Sequence, residues 1–427
     1  MSECSDSPLR GVANSAGLIT DLITFPRSPI DFRFHVVTAR IHESYESCLS
    51  ESVARCVASG VSDDPRLAMA TAVGEAWERI AFVSAIKELE QEPESLRPWE
   101  GSAEQLFQLP FLLNRSTDRR AWAKQAMKSP IKTKRYTVFS VRQSPFQQEL
   151  PVVVLAPMDH SSLFETTNGL ACAESFEVAL DRAVRELVER DALMLVWLGR
   201  SGGDRVPALR YLNQGYCKQI KRMETLGVHT ILRDITTDLG IRVFLVIIHA
   251  VFPGGRIGIG FGAGAHRDPG QAANHAFREA CLSWRGVTWR ALTGDQPSED
   301  VLPNDFAAHS EYYSSWDRMH ILDFLLADGP VAMDEQPLEE TADPSYDGGH
   351  VERLLEKGLS ILATDITPPP AADAGLVIVQ AVIPGLVPLY IGDRVANALA
   401  EERFPTPIGS AIQAKPSILN SNVHPWP

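Results

Sequence analysis

Small, bulky and charged positions recur at one helical spacing in three places along the chain: Asp64-PRLAMATAVGEAWER, Ser175-FEVALDRAVRELVER and Asp268-PGQAANHAFREACLSW. Counted from Asp64, Ser175 or Asp268 as zero, alanine returns at +4 (Ala68, Ala179, Ala272) and +8 (Ala72, Ala183, Ala276), and glutamate at +11 (Glu75, Glu186, Glu279). The first two copies add glutamate at +14 (Glu78, Glu189) and arginine at +15 (Arg79, Arg190). At about 3.6 residues per turn these positions share one face of each helix. The opposite stripe is bulky: Met69, Val73, Trp77 and Ile80, then Leu180, Val184 and Val188, then Phe277, Cys281 and Trp284. The pattern predicts three helices, each packing its bulky stripe on a core and turning an alanine stripe that ends in carboxylates the other way. Asp or Ser at position zero reads as an N-cap, reinforced by the proline that follows in copies one and three.

Period-two alternation predicts the strands around them. Residues 32–41 lead to the first helix and residues 256–265 to the third. Residues 136–142 and 150–158 read as paired strands feeding the loop that introduces the second, and the apolar run 241–252 as a buried strand. Each helix is thus expected to follow a strand through a glycine-containing loop (Gly60, Gly169, Gly264), where backbone amides can meet an anion. Residues 94–120 read as loop and 293–318 as a polar, irregular linker. Beyond them a strand at 320–327, a helix at 351–357 and strands at 359–366 and 376–383 suggest a smaller α/β unit over 319–392.

Taken singly, Glu75–Arg79 and Glu186–Arg190 are i,i+4 pairs that add about 0.2–0.5 kcal/mol to any solvated helix. The repeated alanines argue for more, since a solvated face would carry long polar side chains at +4 and +8. Five carboxylates drawn into one place would repel each other unless cations held them, which is how Mg²⁺ and substrate phosphates are bound.

Composition narrows the class. The 427 residues are 44% hydrophobic and 22% charged, enough for a sizeable core and unlike a disordered chain. A net charge of −14 argues against non-specific binding to nucleic acid or an anionic membrane. The six cysteines show no metal-ligand spacing and no signal peptide opens the chain, so a soluble cytoplasmic protein is expected. The chain closes on Asn-Ser-Asn-Val-His-Pro-Trp-Pro, stiff and aromatic where an end is usually polar. Either this proline-rich tail (416–427) packs on the surface, or it plugs a cleft and carries an imidazole, His424, and the carboxylate of Pro427 there.

With these residues in view, the sequence resembles the YcaO superfamily. It is most similar to the cyclodehydratase component of thiazole/oxazole-modified microcin biosynthesis, in which azolines are made in ribosomal peptides. The carrying segments are 58–81 (ASG, then AVGEAWER), 165–192 (TTNGLACAESFEVALDRAVRELVERDA) and 256–285 (with GAHRDPGQAANHAFREA), followed by VIPGLVPLYIG and the HPWP ending. The resemblance implies a single YcaO-like α/β domain over 1–427, with repeated strand-loop-helix units around a nucleotide cleft. Its cofactors would be ATP and Mg²⁺. Carried over residue by residue, Glu75, Glu78, Glu186, Glu189 and Glu279 become metal ligands. Ser59, Glu75, Arg79, Asn168, Glu186, Arg190 and Glu279 become ATP contacts, and His424 and Pro427 candidate catalytic groups.

In such enzymes a Cys, Ser or Thr side chain attacks the preceding carbonyl, ATP phosphorylates the amide oxygen, and phosphate leaves. The residues themselves do not choose the nucleophile, so thioamide or amidine formation, or a non-catalytic scaffold role, stay open. Leu282 stands where many relatives have glutamine, and Val423 interrupts the alternation of prolines at the end. About 30 residues precede the first strand, too few for an activating-enzyme-like domain. A separate leader-binding partner protein is therefore expected, with a ribosomal precursor peptide as substrate and a flavin-dependent dehydrogenase in the same complex. Neither nucleic acid nor membrane is expected as a partner.

Overall fold

The computed structural model describes residues 17–25, 31–43, 57–91, 96–97, 131–140, 143–152, 167–293, 306–327, 349–389, 403–404 and 418–426. In chain order, β1 (Ile19–Phe25), β2 (His35–Ile41) and β3 (Val57–Ser62) precede helix α1 (Pro65–Gln91). Next come β4 (Leu96–Arg97), β5 (Ile131–Ser140), β6 (Gln143–Val152), β7 (Leu170–Ala173) and α2 (Phe176–Gly199). After β8 (Asp204–Arg205) follow α3 (Gln214–Glu224), β9 (His229–Asp234), β10 (Arg242–Phe252), β11 (Arg256–His266) and α4 (Pro269–Thr293). The last elements are α5 (Phe306–Tyr312), α6 (His350–Glu356), β12 (Ile361–Asp365) and β13 (Val377–Val382).

The chain forms two compact units. The first takes residues 1–26, 34–187 and 354–385, and the second 27–33, 188–353 and 386–427. Helix α2 therefore contributes its residues through Leu187 to the first and from Val188 to the second. The segment 319–392, expected as a unit of its own, is divided at residue 353, again near residue 385, and its strands β12 and β13 join a sheet of the first unit.

In the first unit β1, β2 and β3 make an antiparallel sheet, and β4-β5-β12-β13-β7 a second, with β6 paired to β5. The bulky stripe of α1 (Met69, Val73, Trp77, Ile80) is buried in a core that takes Val37, Ala39 and Ala58 from one sheet and Leu170, Cys172 and Ile378 from the other. In the second unit β11-β10-β9-β8 form an antiparallel sheet. Here β11 carries Gly258, Gly260, Gly262 and Gly264 on one face and Ile257, Ile259 and Phe261 on the other, because successive side chains alternate.

The alanine stripes are buried, not turned outward: Ala68, Ala72, Ala272 and Ala276 are each fully enclosed. What comes close is a strand. A Cβ placed on Gly60 would lie 2.1 Å from the Ala68 carbonyl oxygen, and one on Gly262 would lie 2.1 Å from the Ala280 nitrogen. Helix backbone thus rests on bare strand backbone, and the strand still lies alongside at +11, where Gly262 comes against Glu279 and the Ser59 N–H meets Glu75. Gly262→Ala would drive its methyl into the helix backbone at Ala276, Glu279 and Ala280, which cannot give way as a side chain can, so we expect a loss of about 3 kcal/mol or more in urea unfolding. Gly286→Ala on α4, with its nearest neighbour 3.8 Å away, is the matched control and should gain about 0.5–1 kcal/mol.

Several local expectations need correction. Gly60 and Gly264 lie inside β3 and β11, and only Gly169 occupies a turn, at φ 73°. The 136–142 and 150–158 hairpin exists, but both strands start earlier, and 153–158 lies outside the described residues. The strand expected at 320–327 is helical: a 3₁₀ segment (Trp316–Leu322) followed by one α-turn (Asp323–Leu326). Leu322 and Leu325, both fully buried, sit three apart, a spacing that a short apolar run leaves ambiguous between strand and helix. The linker expected at 293–318 contains α5, whose His309 and Ser310 are buried. Of residues 94–120 only β4 is described. Among the described residues no helix is long and apolar enough to cross a membrane.

Candidate functional site

Each helix of the template starts as its sequence demands. Asp64 Oδ1 accepts from the Arg66 N–H at 2.7 Å, Ser175 Oγ from Val178 at 3.3 Å, and Asp268 Oδ1 from Gln271 at 2.7 Å. The caps fix where the helices begin, and so where +11 and +14 fall.

In the first unit the glutamates grip neighbouring backbone. Glu75 Oε2 accepts the Ser59 N–H of β3 at 2.9 Å, and its other oxygen lies 2.5 Å from Arg79 Nη2. Arg79 Nη1 donates to the Val57 carbonyl, so the pair holds β3 through a donor and an acceptor two residues apart. The Ser59 hydroxyl pairs with that of Thr38 at 2.9 Å. Glu78 Oε1 accepts from Cys172 N at 2.8 Å, and Glu186 Oε2 from Gly169 N at 3.1 Å. Gly169 cannot be replaced without strain, since its φ is positive and a Cβ would meet the Ala381 carbonyl oxygen at 2.4 Å. Asn168, beside it, is buried.

These carboxylates feel one another. Glu78 is held well above the ordinary carboxylate range, first by loss of solvation and then by the charges of Glu186 and Glu75; the Cys172 N–H and Arg79 offset this only in part. Burial, with Glu78 next to it, likewise pushes the Cys172 thiol up to about 12, so it is no nucleophile.

In the second unit Glu189 Oε2 accepts from Ala265 N at 3.2 Å. Glu279 and Arg190 are half-buried on α4 and α2. At +15 of the third helix, where the other two have arginine, Ser283 accepts the Phe261 N–H at 3.2 Å. His424 is fully buried beside α5, and Pro427 lies outside the described residues. Asp191, one residue past Arg190, was not singled out by sequence. It is fully buried, accepts from Val387 N at 2.9 Å and pairs with Arg403 at 2.7 Å. The only sequence signal is its place directly after the Glu-Arg of the motif.

The residues fit a divalent cation in one specific sense. No group of three or more His, Cys, Asp or Glu that could hold a metal ion by itself exists among the described residues. Mg²⁺, however, keeps waters and is bound through one or two carboxylates plus substrate phosphates. Glu75, Glu78 and Glu186 supply closely coupled negative charge of the kind such an ion relieves.

Because the native pKa of Glu78 lies above its unfolded value, ionising it costs stability as pH rises from about 4.3 through the native value. Glu78→Gln should therefore melt about 2–4 °C higher than wild type at neutral pH without Mg²⁺, and no differently below about pH 4. Thermal melts across pH check this, and equal melting at neutral pH would remove the coupling.

Residues 59–387 match the model of the YcaO family, described as a cyclodehydratase that binds ATP and Mg²⁺. An uncharacterized protein of Methanothermobacter thermautotrophicus is 26% identical over 251 residues, covering 56% of this chain and 61% of that protein. An uncharacterized protein in the tfuA 3′ region of Rhizobium leguminosarum bv. trifolii is 27% identical over 235 residues, 52% of each. The chain thus spans about half to three-fifths of the curated relatives it matches.

Among solved structures, the E. coli microcin synthetase McbBCD complex with pro-MccB17 bound has a chain of the same fold (TM-score 0.62, 15% identity, 95% of this chain and 96% of that one). So do a heterocyclase in complex with substrate and cofactor (0.61, 20%, 89% and 52%) and YcaO from Methanopyrus kandleri bound with AMPPCP and Mg²⁺ (0.53, 16%, 89% and 90%).

Proposed function

Because the chain belongs to the YcaO family of ATP- and Mg²⁺-binding cyclodehydratases, we propose that it converts Cys, Ser or Thr residues of a ribosomally made precursor peptide into thiazolines or oxazolines. The observation that carries this is the repeated template itself: capped helices that deliver Glu75, Glu78, Glu186, Glu189 and Glu279, four of them pinned by a backbone N–H. Carboxylates fixed in this way can hold Mg²⁺ beside substrate phosphates, and it is the cation that would offset the developing phosphoryl charge.

The side-chain oxygen or sulfur adds to the preceding carbonyl carbon, and the former amide oxygen takes the γ-phosphoryl group of ATP. Phosphate then leaves with the C–O bond while the amide nitrogen loses its proton, giving the C=N of the ring. Bound Mg²⁺ would supply charge neutralisation at the phosphates. In this reading the five glutamates are the candidate metal ligands, with each Mg²⁺ taking one or two of them beside the phosphates. Glu75, Glu186 and Glu279 also contact the nucleotide, together with Ser59, Asn168, Arg79 and Arg190. His424 and Pro427 would serve the proton transfers.

A precursor-bound complex among proteins of the same fold supports a peptide substrate and partner subunits. Here we assign those to a leader-binding, activating-enzyme-like protein and a flavin-dependent dehydrogenase.

The test is mass spectrometry of a candidate precursor peptide incubated with this protein, a leader-binding partner, ATP and Mg²⁺. Loss of one water per heterocycle, with ADP and phosphate released in step, is expected. An unmodified peptide, or one in which sulfur replaces oxygen, would overturn the assignment.

A further inference from the structure

The closing segment, residues 420–426, is held in an unusual way. Four consecutive main-chain carbonyls each meet a different side-chain donor. Trp197 Nε1 donates to Asn422 O at 2.9 Å, the Tyr313 hydroxyl to Val423 O, His309 Nδ1 to His424 O at 2.9 Å, and Ser310 Oγ to Pro425 O at 2.7 Å. The indole of Trp426 stands edge-on to Phe261, on the sheet face opposite the glycines, and to Trp197, at ring-centre distances of 5.4 and 6.3 Å. Val423, His424 and Trp426 are all buried.

The chemistry of proline explains the arrangement. Pro425 and Pro427 have no N–H to donate, so the segment cannot complete a strand ladder and its carbonyls must find donors elsewhere. The donors come from α2 and from α5 with the residue following it, and they read backbone, with one aromatic anchor setting the register.

His309 also fixes a tautomer. A carbonyl only accepts, so His309 carries its proton on Nδ1. The second contact of that atom, 3.2 Å to His424 Nδ1, then makes His424 Nδ1 an acceptor and places its proton on Nε2.

We propose that Trp197, His309, Ser310 and Tyr313 form a peptide-binding groove whose ligand is this chain's own 420–426 segment, held by contact and not by covalent continuity. The inference makes no use of the proposed reaction. Its test contains neither ATP nor precursor, so its failure would leave that reading standing.

The experiment inserts a protease site in the full-length chain just before Ile418, which is 82% exposed, cleaves the folded protein, and follows the released segment by native gel filtration. The segment is expected to co-elute with the body and to exchange with a labelled synthetic Leu419–Pro427 peptide. A peptide with Trp426→Ala should compete about a hundredfold less well. Ser310→Ala and Tyr313→Phe, which remove one donor each and little volume, should each speed release about tenfold.

Immediate loss of the segment from the cleaved wild type, or release from both Ser310→Ala and Tyr313→Phe no faster than from wild type, overturns the proposal. So does loss of the cooperative melting transition on displacing the segment, since the segment would then be core and not ligand.

Discussion

Glu186→Gln and Glu75→Gln are expected to lower ATP turnover by about 10²–10³-fold while the protein still folds. Glutamine keeps the oxygen that receives the Gly169 or Ser59 N–H, so the grip of the helix on its neighbouring backbone survives. The charge is what goes, and with it, in the proposed reading, the means of holding Mg²⁺ against triphosphate. Glu186→Gln is the cleaner case, because Glu75→Gln also strands Arg79, whose ion pair it removes. Phosphate release measured beside a thermal melt separates the two contributions. Turnover within twofold of wild type in either variant would return these glutamates to the role of ordinary helix-surface partners.

Deleting Pro425–Pro427 is the second large effect. It removes Trp426 from between Phe261 and Trp197 and takes away the carbonyl that Ser310 meets. Losing a buried tryptophan costs about 3–5 kcal/mol, so the melting temperature should drop visibly. If the segment also serves the chemistry, heterocycle formation should fall by at least ~100-fold at a temperature where the variant remains folded, with nucleotide binding retained. Binding of a fluorescent ATP analogue and precursor mass are the two readouts. Undiminished cyclisation would confine the segment to packing.

The strongly periodic helices were readable from the chain because their pattern runs for four or more turns between a cap and a polar exit. Glu75, Glu78 and Glu186 were readable with them, since their offset repeats. The neighbour of the alanine face was not. Periodicity defines a face but not its occupant, and the strand with Gly258 to Gly264 had to be laid on Ala272, Ala276 and Ala280 before the two small-residue patterns explained each other. The Asp191–Arg403 pair joins residues 212 apart, a distance no local pattern carries. His309, Ser310 and Tyr313 sit in a polar stretch that read as irregular, because their partners are carbonyls of residues 110 to 115 positions away.

The bare face of β11 bears on how the second unit comes to exist. Glycine loses more backbone freedom on ordering than any other residue, and four in alternation leave the strand little intrinsic reason to extend. Its reward arrives only when α4 settles on it and Ala276 and Ala280 close over Gly262. The β10–β11 hairpin and the helix that follows should therefore order in a single step, with neither a lasting intermediate of the other. An excised peptide of residues 242–266 would remain a coil in water, and one extended to residue 293 is the shortest piece with a chance of recording the strand at all.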